Sequence, residues 1–178
     1  MSKQINDNKV ILAVIAAGTI IALASIATNL GWDKTQAEEV TFSAQDYADI
    51  QNLYASYVRA TDMGGAGDGS EYADHFTEDG SFNTAKGREA LKKLIKGFHA
   101  RLEKEGWSSR HTVTGLQITP TPEGANASAY LLTFNITANP PYVDHGGIYT
   151  DQLVKTKDGW KYKRRTYRSR ESFEPGRP

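Results

Sequence analysis

The chain has 178 residues, 39% hydrophobic and 24% charged, the make-up of one ordinary globular domain plus a short extra segment. Lysine plus arginine balance aspartate plus glutamate at 21 each, so no long-range field recruits nucleic acid or another polyanion. Cysteine is absent, which excludes disulfides, thiolate nucleophiles and cysteine metal sites but leaves the compartment open.

No residue from Val10 to Trp32 is charged, and the run is rich in Val, Ile, Leu and Ala. It is long enough to cross a bilayer, which takes roughly 20 apolar residues. Lys3 and Lys9 precede it, whereas Glu38, Glu39, Asp46 and Asp49 follow, so the rest of the chain is expected outside the cytoplasm. Residues 1–32 are read as an uncleaved signal anchor, or as a signal peptide cut after a small residue such as Ala27 or Ala37. Residues 33–42 are a polar linker, 43–172 the domain and 173–178 a tail.

Ser43 followed by Asp46 resembles a capping signal, and Tyr47, Ile50, Tyr54, Tyr57, Val58 and Thr61 recur at helical spacing, which predicts a first helix over 43–63. Gly64, Gly65, Gly67 and Gly69 end it. A short helix over 70–76, a turn at Glu78-Asp79-Gly80 and a brief strand through Phe82 are expected next. Gly87 opens another helix, with Leu91, Leu94, Ile95, Phe98 and Leu102 as its apolar stripe. Beyond Gly106 the period changes to two, and strands are expected at 108–119, 126–138, 147–156 and 159–170. Helices first and strands afterward imply an α+β fold, with helices on one face of a curved antiparallel sheet.

Several stretches carry a resemblance: Tyr57-Val58-Arg59-Ala60-Thr61-Asp62, His75-Phe76-Thr77-Glu78-Asp79-Gly80, Gly87-Arg88-Glu89-Ala90-Leu91, Arg110-His111-Thr112-Val113-Thr114 and Asp158-Gly159-Trp160. From Tyr47 to Arg170 the chain resembles a SnoaL-like domain of the nuclear transport factor 2-like superfamily. The resemblance implies a cone of helices and a strongly bent sheet around a deep pocket. Its relatives include dehydratases, isomerases, cyclases and a dehydrochlorinase, together with members that only bind. Dimers or trimers through the outer sheet face are implied as well.

Ile50, Tyr54, Val58 and Asp62 fall four apart, a stripe expected to point toward the sheet and to turn the acid inward. The alternative is that Asp62 only caps the glycine loop behind it. His111 opens a strand on whose face Val113 lies, and Gly115 suggests a bulge that would also turn Leu116 and Ile118 inward. A lone histidine there can equally be a core residue. The resemblance pairs the two, because the dehydratases and the dehydrochlorinase place an aspartate late in helix one and a histidine at this strand. It likewise implies that Tyr57 polarises a substrate oxygen, although Tyr57 can also simply pack. Tyr54, Val58, Val113, Asn135 and Arg168 are expected to contact substrate; Arg168 is alternatively a solvated member of a basic strand end.

His75 is expected on a surface helix, His99 on the polar flank of the lysine-rich helix and His145 in a loop at the cone's mouth; all three are weaker candidates. No metal site is expected, since no two histidines have ligand spacing and cysteine is absent, and no nucleotide cradle is expected at the glycine cluster, which lacks a preceding strand and a following lysine; no cofactor is expected. The leading expectation is a cofactor-independent lyase or isomerase, dehydratase-like, acting on a small apolar cyclic molecule such as a polyketide, steroid or terpenoid. The alternative is a binding or membrane-tethered assembly module. An open cavity of roughly 300 Å³ or more, lined by both Asp62 and His111, favours chemistry over that alternative.

Overall fold

The computed structural model describes residues 42–63 and 67–169. The apolar run near the N-terminus, the linker and the tail lie outside them; among the described residues no helix is long and apolar enough to cross a membrane.

Helix α1, Ala44–Met63, begins as Ser43 and Asp46 predict. The Ser43 N–H and hydroxyl both donate to Asp46 Oδ2 at 2.9 and 2.7 Å, and the Asp46 N–H returns a bond to the Ser43 hydroxyl at 3.2 Å. The other Asp46 oxygen accepts from Lys155 and from the Trp160 indole, which ties the start of the helix to the sheet. The Lys155 ammonium, followed by Ser43, holds the Asp46 carboxyl well below the usual carboxylate range.

A single helical turn, α2 (Ser70–Ala73), leads into strand β1 (Phe76–Phe82) and the two-residue β2 (Ala85–Lys86). The expected turn at Glu78-Asp79-Gly80 is absorbed into β1, whose pairing is irregular between Phe76 and Ser81. Helix α3 (Arg88–Glu105) starts at Gly87 and stops at Gly106, where the backbone turns left-handed. Four long strands follow: β3 (Ser109–Thr121), β4 (Gly124–Asn135), β5 (Tyr142–Thr156) and β6 (Gly159–Ser169).

The six strands form one sheet in the order β2-β1-β6-β5-β4-β3. The expectation of a purely antiparallel sheet is corrected by one pairing: β1 runs parallel to β6, so the sheet is mixed. This is possible because α3 and the three strands after it lie between β1 and β6 in the chain, enough residues to carry it back in the same direction. The architecture is α+β, with helices packed on a six-stranded mixed sheet.

Alternation decides which face is covered. Along β4, Ala125, Ala127, Ala129, Leu131 and Thr133 are buried while Asn126, Tyr130 and Leu132 are exposed. The buried row joins Ile50, Leu53, Tyr54 and Tyr57 of α1 in one core, where the alanines leave room for the tyrosines of helix and sheet. Gly115 sits at φ 62° in β3, where the pairing with β4 slips between Thr114 and Gln117; this is the expected bulge, and glycine reaches that backbone geometry without strain.

Candidate functional site

Asp62 ends the last turn of α1, and His111 lies near the start of β3, an edge strand whose outward N–H groups have no ladder partner. The carboxylate meets both needs of the histidine. Asp62 Oδ2 accepts the His111 backbone N–H at 2.9 Å, and Oδ1 lies 2.5 Å from the ring Nδ1. Both side chains are more than nine-tenths buried. A carboxylate is acceptor-only when ionised, so the proton of a neutral His111 belongs on Nδ1, leaving the lone pair on Nε2.

His111 forms part of the wall of a cavity of about 210 Å³. Tyr57, Tyr72, Phe82, Phe98, Tyr149 and Tyr167 make its aromatic lining, Leu94, Ile95 and Leu131 its aliphatic lining, and Thr61 and His145 contribute polar groups beside His111. Asp62 stands behind His111 and does not line the cavity. The volume falls short of the roughly 300 Å³ expected of a cavity that favours chemistry over assembly. The Tyr57 and Tyr72 hydroxyls lie 3.1 Å apart. Burial pushes the phenols of Tyr72 and Tyr149 well above the ordinary tyrosine value, so both keep their protons at neutral pH.

The other expected contact residues are placed elsewhere. Tyr54, Val58 and Val113 line a more open groove on another side of His111, and the Tyr54 hydroxyl is committed to Asp151. Asn135 does not face the cavity: its Oδ1 accepts from the backbone N–H groups of Thr137 and Ala138 and from the Thr137 hydroxyl, so it shapes the turn after β4. Arg168 is exposed on β6 opposite Ile148 and is not part of the cavity lining.

Two histidines are also corrected. His145 belongs to β5 rather than to a loop, and it lines the cavity. His99, expected on a polar flank, has a buried Nε2 with no partner among the described residues. Burial lowers its pKa, against a backbone hydrogen bond with Thr61 and the nearby Asp62 charge. His75 donates or accepts through Nε2 with the Ser56 hydroxyl at 3.0 Å, and burial lowers its pKa too. Among the described residues no group of three or more histidines and carboxylates is placed to hold a metal ion.

Arg165 was missed. Its guanidinium is fully buried, binds Asp151 through Nε at 2.8 Å and Nη2 at 2.7 Å, and lies against the rings of Tyr54, Tyr57, Tyr149 and Tyr162. Read by strict alternation, Arg165 falls opposite in face to the buried Trp160 and Tyr162. The register slips between Gln152 and Leu153, and the bulge turns Arg165 inward. A usable signal was present: Tyr149, Asp151 and Leu153 share one face of β5, and a carboxylate on a buried face calls for a buried cation.

No curated protein matches the chain. Among solved structures, a variant of Rv3472 from Mycobacterium tuberculosis, a protein of unknown function, is 27% identical with a TM-score of 0.62, covering 71% of this chain and 77% of its own. A Catenulispora acidiphila protein in complex with S-DNPA is 29% identical with a TM-score of 0.62, covering 73% of this chain and 97% of its own. ActVI-ORFA from Streptomyces coelicolor, at 22% identity and a TM-score of 0.64 over 74% of this chain and 99% of its own, shares the fold. A family model described as the SnoaL-like domain matches residues 43–166, most of the chain and all of the cavity's wall but Tyr167, and on that match the chain belongs to the SnoaL-like family of the NTF2-like fold.

Proposed function

We propose that the domain is a lyase or isomerase of the dehydratase type, in which His111 moves the proton and Asp62 orients it. The observation that supports this most is the double hold of Asp62 on His111 at the wall of an apolar cavity. With Nδ1 bound to the carboxylate, Nε2 is the ring atom left to accept a proton from a substrate carbon, and Asp62 balances the charge the ring then gains. Tyr57, when Tyr72 donates to it, can offer its own proton to a substrate carbonyl or hydroxyl. The cavity is smaller than the roughly 300–1,000 Å³ of most ligand pockets, which favours one or two fused rings of polyketide or terpenoid type over a steroid. A relative of the same fold, 29% identical, was solved in complex with S-DNPA, which also supports a ligand-holding cavity.

The test uses a generic probe of carbon deprotonation in an apolar site: ring opening of 5-nitrobenzisoxazole, followed by the absorbance of its phenolate. The domain should accelerate the reaction over buffer, and His111→Ala should remove about 10²–10⁴ of that rate. Equal rates for the two proteins would remove the assignment. A second reading, a binding or membrane-tethered assembly module without turnover, is favoured by the small cavity volume. Saturable binding of apolar ring compounds with no His111-dependent rate is its signature.

The uncharged run over residues 10–32 supports a location outside the cytoplasm, as an anchored or a secreted protein. Alkaline phosphatase fused after the domain should be active only if that orientation holds. Tyr130 and Leu132, exposed on the outer face of β4, support self-association as a dimer or trimer, which sedimentation velocity reads directly.

A further inference from the structure

Two histidines on the wall of this cavity each have a carboxylate partner beside them. His111 Nδ1 lies 2.5 Å from Asp62 Oδ1, and His145 Nδ1 lies 2.6 Å from Asp144 Oδ2. In both, the carboxylate takes the nitrogen nearer the backbone, and Nε2 is left to meet a bound molecule. Both histidines line the same chamber. They also stand in one cross-strand row: His111 of β3 pairs with Thr133 of β4, and Thr133 pairs with His145 of β5. Residues directly opposite on neighbouring strands point to the same face, and two strand spacings put the histidine backbones roughly 10 Å apart. Between them, the fully buried Thr133 hydroxyl has no hydrogen-bond partner among the described residues. Thr133 is not part of the cavity lining, so the two histidines are the polar groups of this row that reach a bound molecule.

The pairs differ in exposure. The His111 side chain is 8% exposed, whereas His145 is 40% exposed and so reaches water. The His145 turn is built rather than loose: the Tyr167 ring packs on the imidazole and its hydroxyl donates to the Gly146 carbonyl at 3.1 Å. A Cβ on the next residue, Gly147, would come within 2.5 Å of the Tyr167 ring.

We infer that His145 is a second catalytic residue, the general acid that protonates the departing oxygen while His111 deprotonates carbon; this rests on the proton-transfer function proposed above. In the step, His111 Nε2 takes the proton and the C–H electron pair becomes the new double bond. The C–O bond breaks with its pair on oxygen, and that oxygen takes the Nε2 proton of protonated His145 and leaves as water. His111 ends cationic and His145 neutral. The buried ring passes its proton on, and the exposed ring regains one from solvent.

The experiment compares 5-nitrobenzisoxazole with unsubstituted benzisoxazole, whose poorer leaving phenolate depends more on an acid. His145→Gln should lower the rate on the unsubstituted compound by about 10–100-fold and on the nitro compound by no more than about 3-fold, while His111→Gln lowers both alike. Equal losses on the two compounds in His145→Gln, or none, with His111-dependent turnover intact, overturn the role of His145 alone. Absence of His111-dependent turnover with either compound removes the proton-transfer site and this inference together. His145 is partly exposed, so the variant should fold, which its thermal unfolding curve verifies.

Discussion

The carboxylate of Asp62 grips His111 at two points, the backbone N–H at 2.9 Å and the ring Nδ1 at 2.5 Å. One side chain therefore stitches the end of α1 to an edge strand and also selects which imidazole nitrogen meets the cavity. Under the proposed function, stability and chemistry would share this residue, and the variants at the two positions should separate them.

Asp62→Asn should lose on both counts. The amide cannot accept at both points, so about 1–3 kcal/mol of stability should go with the buried donor left unmet, alongside a 10²–10⁴-fold loss of benzisoxazole opening. His111→Ala should lose the activity with a milder shift in urea midpoint than Asp62→Asn. Identical stability losses in the two variants would argue against the backbone contact as a structural tie.

Tyr57→Phe removes one hydroxyl of the Tyr57–Tyr72 pair and leaves the ring packing intact. We expect about 1 kcal/mol of destabilisation by chemical denaturation. Turnover of the unsubstituted probe should fall about 10–100-fold through the lost oxygen polarisation. A rate equal to that of the parent protein would reduce Tyr57 to a packing residue.

The buried Arg165–Asp151 pair makes a prediction about the core. Asp151→Asn should cost about 3–5 kcal/mol, because it strands a guanidinium that is fully buried. Replacing both members together, Asp151→Leu with Arg165→Met, should cost clearly less than the sum of the single changes in urea unfolding, as expected for residues in contact. Simple additivity would contradict a direct electrostatic link.

Acid should destabilise the domain in two stages. The folded-state pKa values of His75 and His99 are lowered by burial, so below about pH 6.5 the unfolded chain binds protons that the folded one resists, and stability falls with pH. Asp46 is depressed by Lys155, so its contribution, present above the unfolded value near 4, is lost as pH drops toward its lower folded value. Thermal unfolding recorded from pH 8 to pH 3 should show both declines, and His99→Gln should flatten the first.

Much of this was legible because it is local. The capping pair Ser43 and Asp46, the helical stripe of α1, the glycines bounding α3 and the period-two strands each depend on neighbours a few residues away. Asp62 and His111 each admit a bland reading from local pattern alone, and it is the family resemblance that pairs them. Arg165 was not legible because a bulge changed its face, and His145 reads as a loop residue because its strand starts at Tyr142 rather than near residue 147.

Periodicity along the chain was thus enough to name the α+β class and the order of its long elements, and the family resemblance added the expectation that Asp62 and His111 meet. Closing the sheet supplied the rest: the parallel β1–β6 pairing, the bulge that buries Arg165, and the row that sets His111, Thr133 and His145 side by side. Those features arise between strands tens of residues apart, where register slips by one residue reverse which face a side chain takes, and no short window of sequence carries that count.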